Sequence, residues 1–176
     1  DLVLQELLQV LAETNFKKSF FYTSSIAVYG SVNKKNFVEE NHKLNPESYY
    51  GLSKLIAEKQ IEYFSNKYNL NSTVLRLSSV YGPGLKRQIV YKIIKETLTS
   101  KSIKLSGNAR DRRQLLYVKD CAQMIAKLII KKPKGFNLFN LSNGKKIKIL
   151  DILKISGQIL KKKTKHKFLD RIKAPL

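Results

Sequence analysis

A tyrosine and a lysine are spaced by four residues in a segment that is predicted to be helical. On a helix, the side chains of Tyr50 and Lys54 leave the same face one turn apart. A tyrosine hydroxyl has a reference pKa of about 10 and is a poor base at neutral pH, and lowering that pKa by about three units takes roughly 4 kcal/mol. An ammonium about 4 Å from the hydroxyl supplies roughly that amount at an effective dielectric constant of about 20. The pair is therefore a candidate acid/base centre.

The tyrosine-lysine spacing is not specific by itself, because the chain contains nine tyrosines and is rich in lysine. An exposed pair on a helix surface is the alternative interpretation. Ser25 favours the chemical one, because it lies at the carboxyl end of a predicted parallel strand, where open α/β sheets bind their ligands. Its hydroxyl is placed to bond the same substrate oxygen as Tyr50.

Helical and strand-like patterns alternate along the chain. The predicted helices run from the start of the sequence to about residue 13 and over residues 49–68, 89–98, 120–131 and 150–161. The predicted strands are residues 19–24, 73–77, 103–105, 115–118 and 136–141, with turns at 107–108 and 143–144. The second helix has charges on one side and apolar residues on the other, namely Leu52, Leu55, Ile56, Tyr63 and Phe64. Asp120 is placed to cap the fourth helix. Such alternation implies a parallel sheet covered by helices.

Four blocks of sequence carry a family resemblance. They are YTSSIAVYG (residues 22–30), YGLSK (50–54), LRLSSVYGPG (75–84) and RQLLYVKD (113–120). In this order they resemble the NAD-dependent epimerase/dehydratase family, the nucleotide-sugar branch of the extended short-chain dehydrogenase/reductases. The resemblance implies an α/β fold with a Rossmann-like parallel sheet.

The glycines do not form the Gly-rich dinucleotide fingerprint of such a sheet. The nearest candidate, Gly82 and Gly84, has Arg87 at the third position and follows a strand too late in the fold. The chain also starts at Asp1, and its only methionine is Met124. We therefore expect an incomplete fold that lacks the N-terminal dinucleotide-binding half and binds NAD poorly by itself. Residues 1–130 would be the C-terminal half of the NAD-binding domain, and residues 131–176 the start of a lysine-rich substrate-binding part.

The resemblance also implies the roles of single residues. Tyr50 would be the catalytic acid/base, Lys54 would hold the ribose of NAD beside it, and Ser25 would bond the reacting sugar hydroxyl. A nucleotide-diphosphate sugar is the implied substrate, and Arg113 matches the position that binds its diphosphate. Ser79 stands where many relatives have a substrate-binding asparagine.

The reaction within the family is less determined. Sugar 4,6-dehydratases carry an acidic pair where this chain has Ile26 and Ala27. This departure favours epimerase or reductase chemistry. The predicted function is an epimerase, active in surface polysaccharide or activated-sugar synthesis, with a reductase or dehydratase of the same family as the alternative. A homodimer of the full-length protein is a further expectation.

Composition bounds the other possibilities. The formal net charge is +21, and basic residues are dense near the end of the chain, from Lys161 to Lys167. A non-catalytic polyanion-binding remnant is therefore the competing function, whereas a solvated lysine-rich surface without nucleic-acid binding is the simpler interpretation.

A single cysteine, Cys121, excludes an internal disulfide and fits a cytoplasmic location. No apolar run reaches the roughly 18 residues of a membrane span. His42 and His166 have no partners at metal-ligand spacing, so no metal site is expected.

Overall fold

The computed structural model describes residues 2–32, 38–100, 102–106, 111–163 and 165–169. Helices and strands alternate along them. The elements are α1 (Leu2–Glu13), β1 (Ser19–Ser25), a 3-10 turn (Ile26–Tyr29), α2 (Tyr49–Tyr68), β2 (Asn71–Leu77), β3 (Ser79–Tyr81), α3 (Ile89–Thr99), β4 (Ser102–Ser106), β5 (Arg112–Arg113), β6 (Leu115–Tyr117), α4 (Val118–Lys131), β7 (Phe136–Leu141), β8 (Ile147–Lys148), α5 (Ile149–Ile159) and β9 (Lys165–Leu169). The predicted α/β class with parallel strands is confirmed.

The chain divides into two compact units, and each is made of two separate stretches. The first unit is Asp1–Ser78 with Asp120–Ser142, and the second is Ser79–Lys119 with Asn143–Leu176.

The first unit is built on a parallel sheet of three strands in the order β1-β2-β7. Ser25 pairs with Leu77, and Leu77 pairs with Leu141, so the carboxyl ends of all three strands lie at one edge. Helices α1 and α2 contribute Leu8 and Ile61, both fully buried, to a core that also contains Val74 of β2. Burial of these apolar side chains holds the two helices on the sheet.

Helix α2 begins and ends at capping residues. The Ser48 side chain accepts a hydrogen bond from the Gly51 amide (3.1 Å), and Asn69 ends the helix in the left-handed region at φ 53°. The predicted apolar side is buried only in part: Phe64 packs against the core and Leu55 is half-buried, whereas Leu52, Ile56 and Tyr63 are 44%, 46% and 55% exposed. The fully buried residues of α2 are small, apolar or hydrogen-bonded, namely Gly51, Ala57, Glu58, Ile61 and Ser65.

The described residues of the second unit form three strand pairs. Strands β3 and β6 are parallel, β4 and β9 are parallel, and β5 and β8 are antiparallel. Ile93 of α3, Ile103 of β4 and Ile149 of α5 form the centre of its core. Strands β3, β5 and β8 were not predicted, because two or three residues are too short to show a strand period. Strand β9 was missed because its lysine-rich sequence is typical of a solvated surface.

The start of α4 differs from the sequence prediction. Asp120 does not cap α4, because the helix begins two residues earlier, and the carboxylate lies in its first turn. There a negative charge still interacts favourably with the helix dipole. The turn expected at residues 107–108 lies outside the described residues.

Candidate active site

Tyr50 and Lys54 lie on the first turns of α2. The Tyr50 side chain is 55% exposed, and its hydroxyl makes no hydrogen bond within the described part of the chain. The Lys54 Nζ donates to the carbonyl oxygen of Thr23 (2.9 Å) and to the hydroxyl of Tyr22 (3.2 Å). It lies 6.0 Å from the centroid of the Tyr50 ring. Lys54 therefore joins α2 to β1 and places a positive charge beside Tyr50.

Ser25 is the last residue of β1 and caps the 3-10 turn that follows. Its Oγ accepts a hydrogen bond from the Ala27 amide (3.2 Å). Since Oγ is the acceptor in this contact, the hydroxyl proton is available to another partner.

The first turn of α2 packs directly on this 3-10 turn. A Cβ at Gly51 would lie 2.6 Å from the carbonyl oxygen of Ala27 and 3.1 Å from Cβ of Pro46. Only glycine permits so close an approach of the two backbones. The packing brings the segment that carries Tyr50 to the segment that follows Ser25, at the carboxyl edge of the sheet.

A buried ion pair lies one turn further along α2. Glu58 and Arg76 are each 3% exposed, with Arg76 Nη2 2.6 Å from Glu58 Oε2. Arg76 Nε donates to both carboxylate oxygens at 3.1 Å, and the Ser24 hydroxyl donates to Glu58 Oε1. Burial disfavours the charged guanidinium, but the hydrogen bonds to Glu58 and Tyr29 outweigh that effect and raise the pKa of Arg76.

Neither Glu58 nor Arg76 is among the site residues predicted from the sequence. A signal was present, because Arg76 interrupts an otherwise apolar and small-residue strand, and a buried arginine requires an anionic partner. Glu58 follows Lys54 by four residues, which places it on the adjoining part of the same helix face.

Ser79 and Arg113 belong to the second unit. Ser79 begins β3, and its amide donates to the Gln114 carbonyl (3.2 Å). Arg113 lies in β5 and is partly exposed, with Nη1 3.4 Å from the Arg112 carbonyl. No carboxylate of the described residues forms an ion pair with Arg113. Its guanidinium can therefore accept an anionic ligand.

The described ranges contain neither a metal-binding cluster nor a membrane-spanning helix. These residues contain no group of three or more His, Cys, Asp or Glu side chains able to bind a metal ion. Nor does any helix among them have the length and apolar character needed to span a bilayer.

The chain is similar to nucleotide-sugar enzymes over nearly its whole length. A UDP-glucuronate 4-epimerase of Thermodesulfobacterium geofontis is 31% identical over 171 residues, which are 96% of this chain and 51% of that protein. An uncharacterized UDP-glucose epimerase of Bacillus subtilis is 28% identical, over 96% of this chain and 53% of that protein. The crystal structure of a Bacillus cereus UDP-glucuronic acid 4-epimerase with UDP-glucuronic acid and NAD matches with a TM-score of 0.84 at 27% identity, covering 96% of this chain and 54% of that one.

The chain thus spans about half the length of the curated relatives it matches. The family profile covers more than three quarters of the chain, from residue 2 to residue 141. It includes Ser25, Tyr50 and Lys54 as well as the buried Glu58–Arg76 pair. The resemblance drawn from the four sequence blocks is confirmed, and the chain belongs to the NAD dependent epimerase/dehydratase family.

Proposed function

We propose that this chain forms the catalytic part of an NAD-dependent nucleotide-sugar epimerase. The observation that carries the proposal is the exposed Tyr50 hydroxyl, which has no hydrogen-bond partner among the described residues and lies one turn from Lys54. The similarity to UDP-sugar 4-epimerases supports it. Since the relatives are about twice as long, the activity is proposed for the native gene product.

The hydrogen-bond donors of Lys54 suit the ribose of NAD. Lys54 Nζ has three hydrogens and uses two of them on Tyr22 and Thr23, which leaves one for a ribose hydroxyl. NAD, when bound, supplies the acceptor and donor of the hydride at the sugar carbon.

The protein side chains then handle the proton. Tyr50, as the acid/base, takes the proton of the sugar hydroxyl and later returns it, because its hydroxyl is exposed and has no hydrogen-bond partner among the described residues. The Lys54 ammonium lies 6.0 Å from the centroid of the Tyr50 ring, beside this proton transfer. Ser25 donates its free hydroxyl proton to the same sugar oxygen and orients it.

Two residues of the second unit are proposed to bind the substrate. Arg113 pairs its guanidinium with the diphosphate, for which its planar fork of donors is suited. Ser79, the first residue of β3, offers a small hydroxyl. We further propose that the enzyme works in the cytoplasm and serves surface polysaccharide or activated-sugar synthesis.

The variant Tyr50→Phe tests the catalytic role. General acid/base catalysis contributes about 10²–10⁴-fold, so kcat for UDP-sugar epimerisation should fall by about 10³-fold. Tyr49→Phe is the matched control, because Tyr49 adjoins Tyr50 but is 87% exposed. Its kcat should equal that of the wild type. Full epimerase activity in the Tyr50→Phe protein would remove this residue from the mechanism.

The alternatives within the family are a reductase and a dehydratase, and Ile26 and Ala27 argue against the dehydratase. Both are apolar side chains directly after Ser25, so neither can serve as the acid/base pair of a water elimination. We expect the product to have the mass of the substrate. A product lighter by one water, or heavier by two hydrogens, would replace the epimerase assignment.

We also propose that the native protein forms a homodimer through α1 and α2. Leu52, Ile56 and Tyr63 of α2 line an exposed apolar groove, and burying them would remove apolar surface from water. The same face carries Lys59 and Glu62, so two copies related by a two-fold axis can pair opposite charges. Sedimentation should give a dimer for the wild type and a monomer for Ile56→Glu. A wild-type monomer would contradict the proposal.

A further inference from the structure

We propose that the buried Glu58–Arg76 pair is a positioning device that sets where Tyr50 lies relative to Ser25. The inference concerns residues of the first unit only, and its kinetic part rests on the proposed epimerase function. Glu58 and Arg76 would not touch the substrate. They would act through the two backbone segments that carry the catalytic hydroxyls.

The first connection runs from α2 to β1. Tyr50, Lys54 and Glu58 follow one another at intervals of four along α2, and the last two are bonded to β1. Lys54 donates to the Thr23 carbonyl (2.9 Å), and Glu58 accepts from the hydroxyl of the next residue, Ser24. Since Ser25 follows directly, these two contacts determine how far α2 can slide along the end of β1.

The second connection runs from Arg76 to the neighbouring strand and loop. Arg76 Nη1 donates to the Tyr29 hydroxyl (2.7 Å), and that hydroxyl donates to Asn140 Oδ1 on β7 (2.8 Å). The Arg76 guanidinium also lies 4.8 Å from the centroid of the Tyr29 ring. Tyr29 ends the 3-10 turn that Ser25 begins, so both ends of this turn are held by the network.

The third connection runs through the loop that leads into α2. Arg76 Nη1 donates to the Glu40 carbonyl (3.0 Å), and the backbone amide of Asn140 donates to Glu40 Oε1 (2.7 Å). Further along, the Asn45 amide donates to the Val28 carbonyl (3.0 Å). Pro46 then packs against Gly51, and Ser48 caps the helix. The network therefore holds the chain on both sides of Tyr50.

A buried, charged and hydrogen-bonded pair suits a role in positioning better than a role in stabilising the fold. Replacing a buried ion pair with apolar side chains of similar volume is often neutral or stabilising, so stability alone does not account for a charged pair here. A bidentate guanidinium-carboxylate contact fixes distance and angle more strictly than apolar packing does. Both carboxylate oxygens of Glu58 and all three guanidinium nitrogens of Arg76 make hydrogen bonds, so the position of each group is fixed.

Two mild variants of the native protein test the proposal without removing either charge. Ser24→Ala deletes the hydroxyl between Glu58 and β1, and Tyr29→Phe keeps the ring over Arg76 but deletes its bridge to Asn140. The control is Ser65→Ala, which deletes a buried hydrogen bond to the Leu70 carbonyl at the opposite end of α2. We expect kcat to fall about tenfold in the first two variants, with KM for the UDP-sugar within about twofold of the wild type. The control should lose thermal stability but keep its kcat.

Either of two kinetic results would overturn the proposal. One is an unchanged kcat in both Ser24→Ala and Tyr29→Phe. The other is a kcat loss in Ser65→Ala equal to theirs, since activity would then follow general stability.

Crystal structures of the same proteins supply a measurement that is independent of turnover. The distance from Ser25 Oγ to Tyr50 Oη should change in Ser24→Ala and Tyr29→Phe but not in Ser65→Ala. An unchanged distance in both network variants would refute positioning. If the wild type epimerises no nucleotide sugar, the proposed function fails, and this distance decides the positioning proposal by itself.

Discussion

Lys54 shows how much a single side chain depends on its neighbours. Its ammonium lies 4.6 Å from the centroid of the Tyr22 ring and is hydrogen-bonded to the Tyr22 hydroxyl and the Thr23 carbonyl. These contacts orient the charge toward the carboxyl end of β1. Lys59, elsewhere on the same helix, instead pairs at the surface with the half-exposed carboxylate of Glu62.

At this scale we expect Lys54→Met to bind NAD more weakly. A hydrogen bond from a charged donor contributes about 1.5–3 kcal/mol, so the dissociation constant should rise by about tenfold or more. The matched control is Lys59→Met, because the Lys59 side chain is 64% exposed. Its dissociation constant for NAD should equal that of the wild type. Calorimetric titration of the native protein with NAD measures both. Equal affinities for the two variants would argue against a cofactor contact at Lys54.

Cys121 gives a prediction about pH. The residue is 6% exposed, and burial raises the pKa of its thiol. Because the thiolate is the reactive form, a raised pKa means less thiolate at any given pH and slower alkylation. Labelling of Cys121 by iodoacetamide can be measured against pH by peptide mass spectrometry. We expect the pH at which labelling becomes fast to be higher for the native protein than for the protein unfolded in urea. Identical pH profiles in the two conditions would contradict this.

At the scale of the element, the contact between α2 and the 3-10 turn depends on Gly51. An alanine Cβ there would lie 2.6 Å from the Ala27 carbonyl oxygen, well inside van der Waals contact. The backbone carbonyl cannot rotate away as a flexible side chain would. The start of α2 would have to move, and Tyr50 would move with it.

The effect of Gly51→Ala on stability should therefore be opposite to the one that helix propensity predicts. In an exposed helix interior, glycine to alanine stabilises by about 1 kcal/mol. Here we expect a lower Tm and a kcat reduced by about 10²-fold, because misplacement of about 1 Å costs that much. Asn66→Ala, at an exposed site of the same helix, should leave both values nearly unchanged. A more stable and fully active Gly51→Ala protein would show that the contact is not restrictive.

At the scale of the whole molecule, the net charge of +21 has two interpretations that salt separates. Polyanion binding releases counterions and loses about 10³–10⁵ in affinity between 50 and 200 mM salt when several phosphates are contacted. Recognition of one nucleotide sugar involves far fewer phosphates. The two modes should therefore differ strongly in their salt dependence.

We expect KM for the UDP-sugar to change by less than about tenfold over that salt range, as for one or two phosphate contacts. Binding of the same protein to duplex DNA, measured in parallel by fluorescence anisotropy, should be weak at 200 mM salt. Tight DNA binding at that salt, together with no epimerisation, would favour the polyanion-binding alternative.

Local patterns determined the parts of this protein that depend on neighbouring residues. Helical spacing of apolar side chains placed α1, α2 and α5 within a residue or two of their observed bounds. The four blocks identified the family, because the spacing within YGLSK and its order relative to YTSSIAVYG are properties of the chain itself.

The tertiary structure decided which surfaces meet. Periodicity places Leu52 and Ile56 on an apolar side, but α2 buries Gly51 and Glu58, because close backbone approach and a partner 18 residues away, Arg76, outweigh local hydropathy. The contacts of Ser24, Tyr29 and Asn140 span up to 111 residues. Such contacts depend on where the sheet brings its strands together, and no local spacing encodes them.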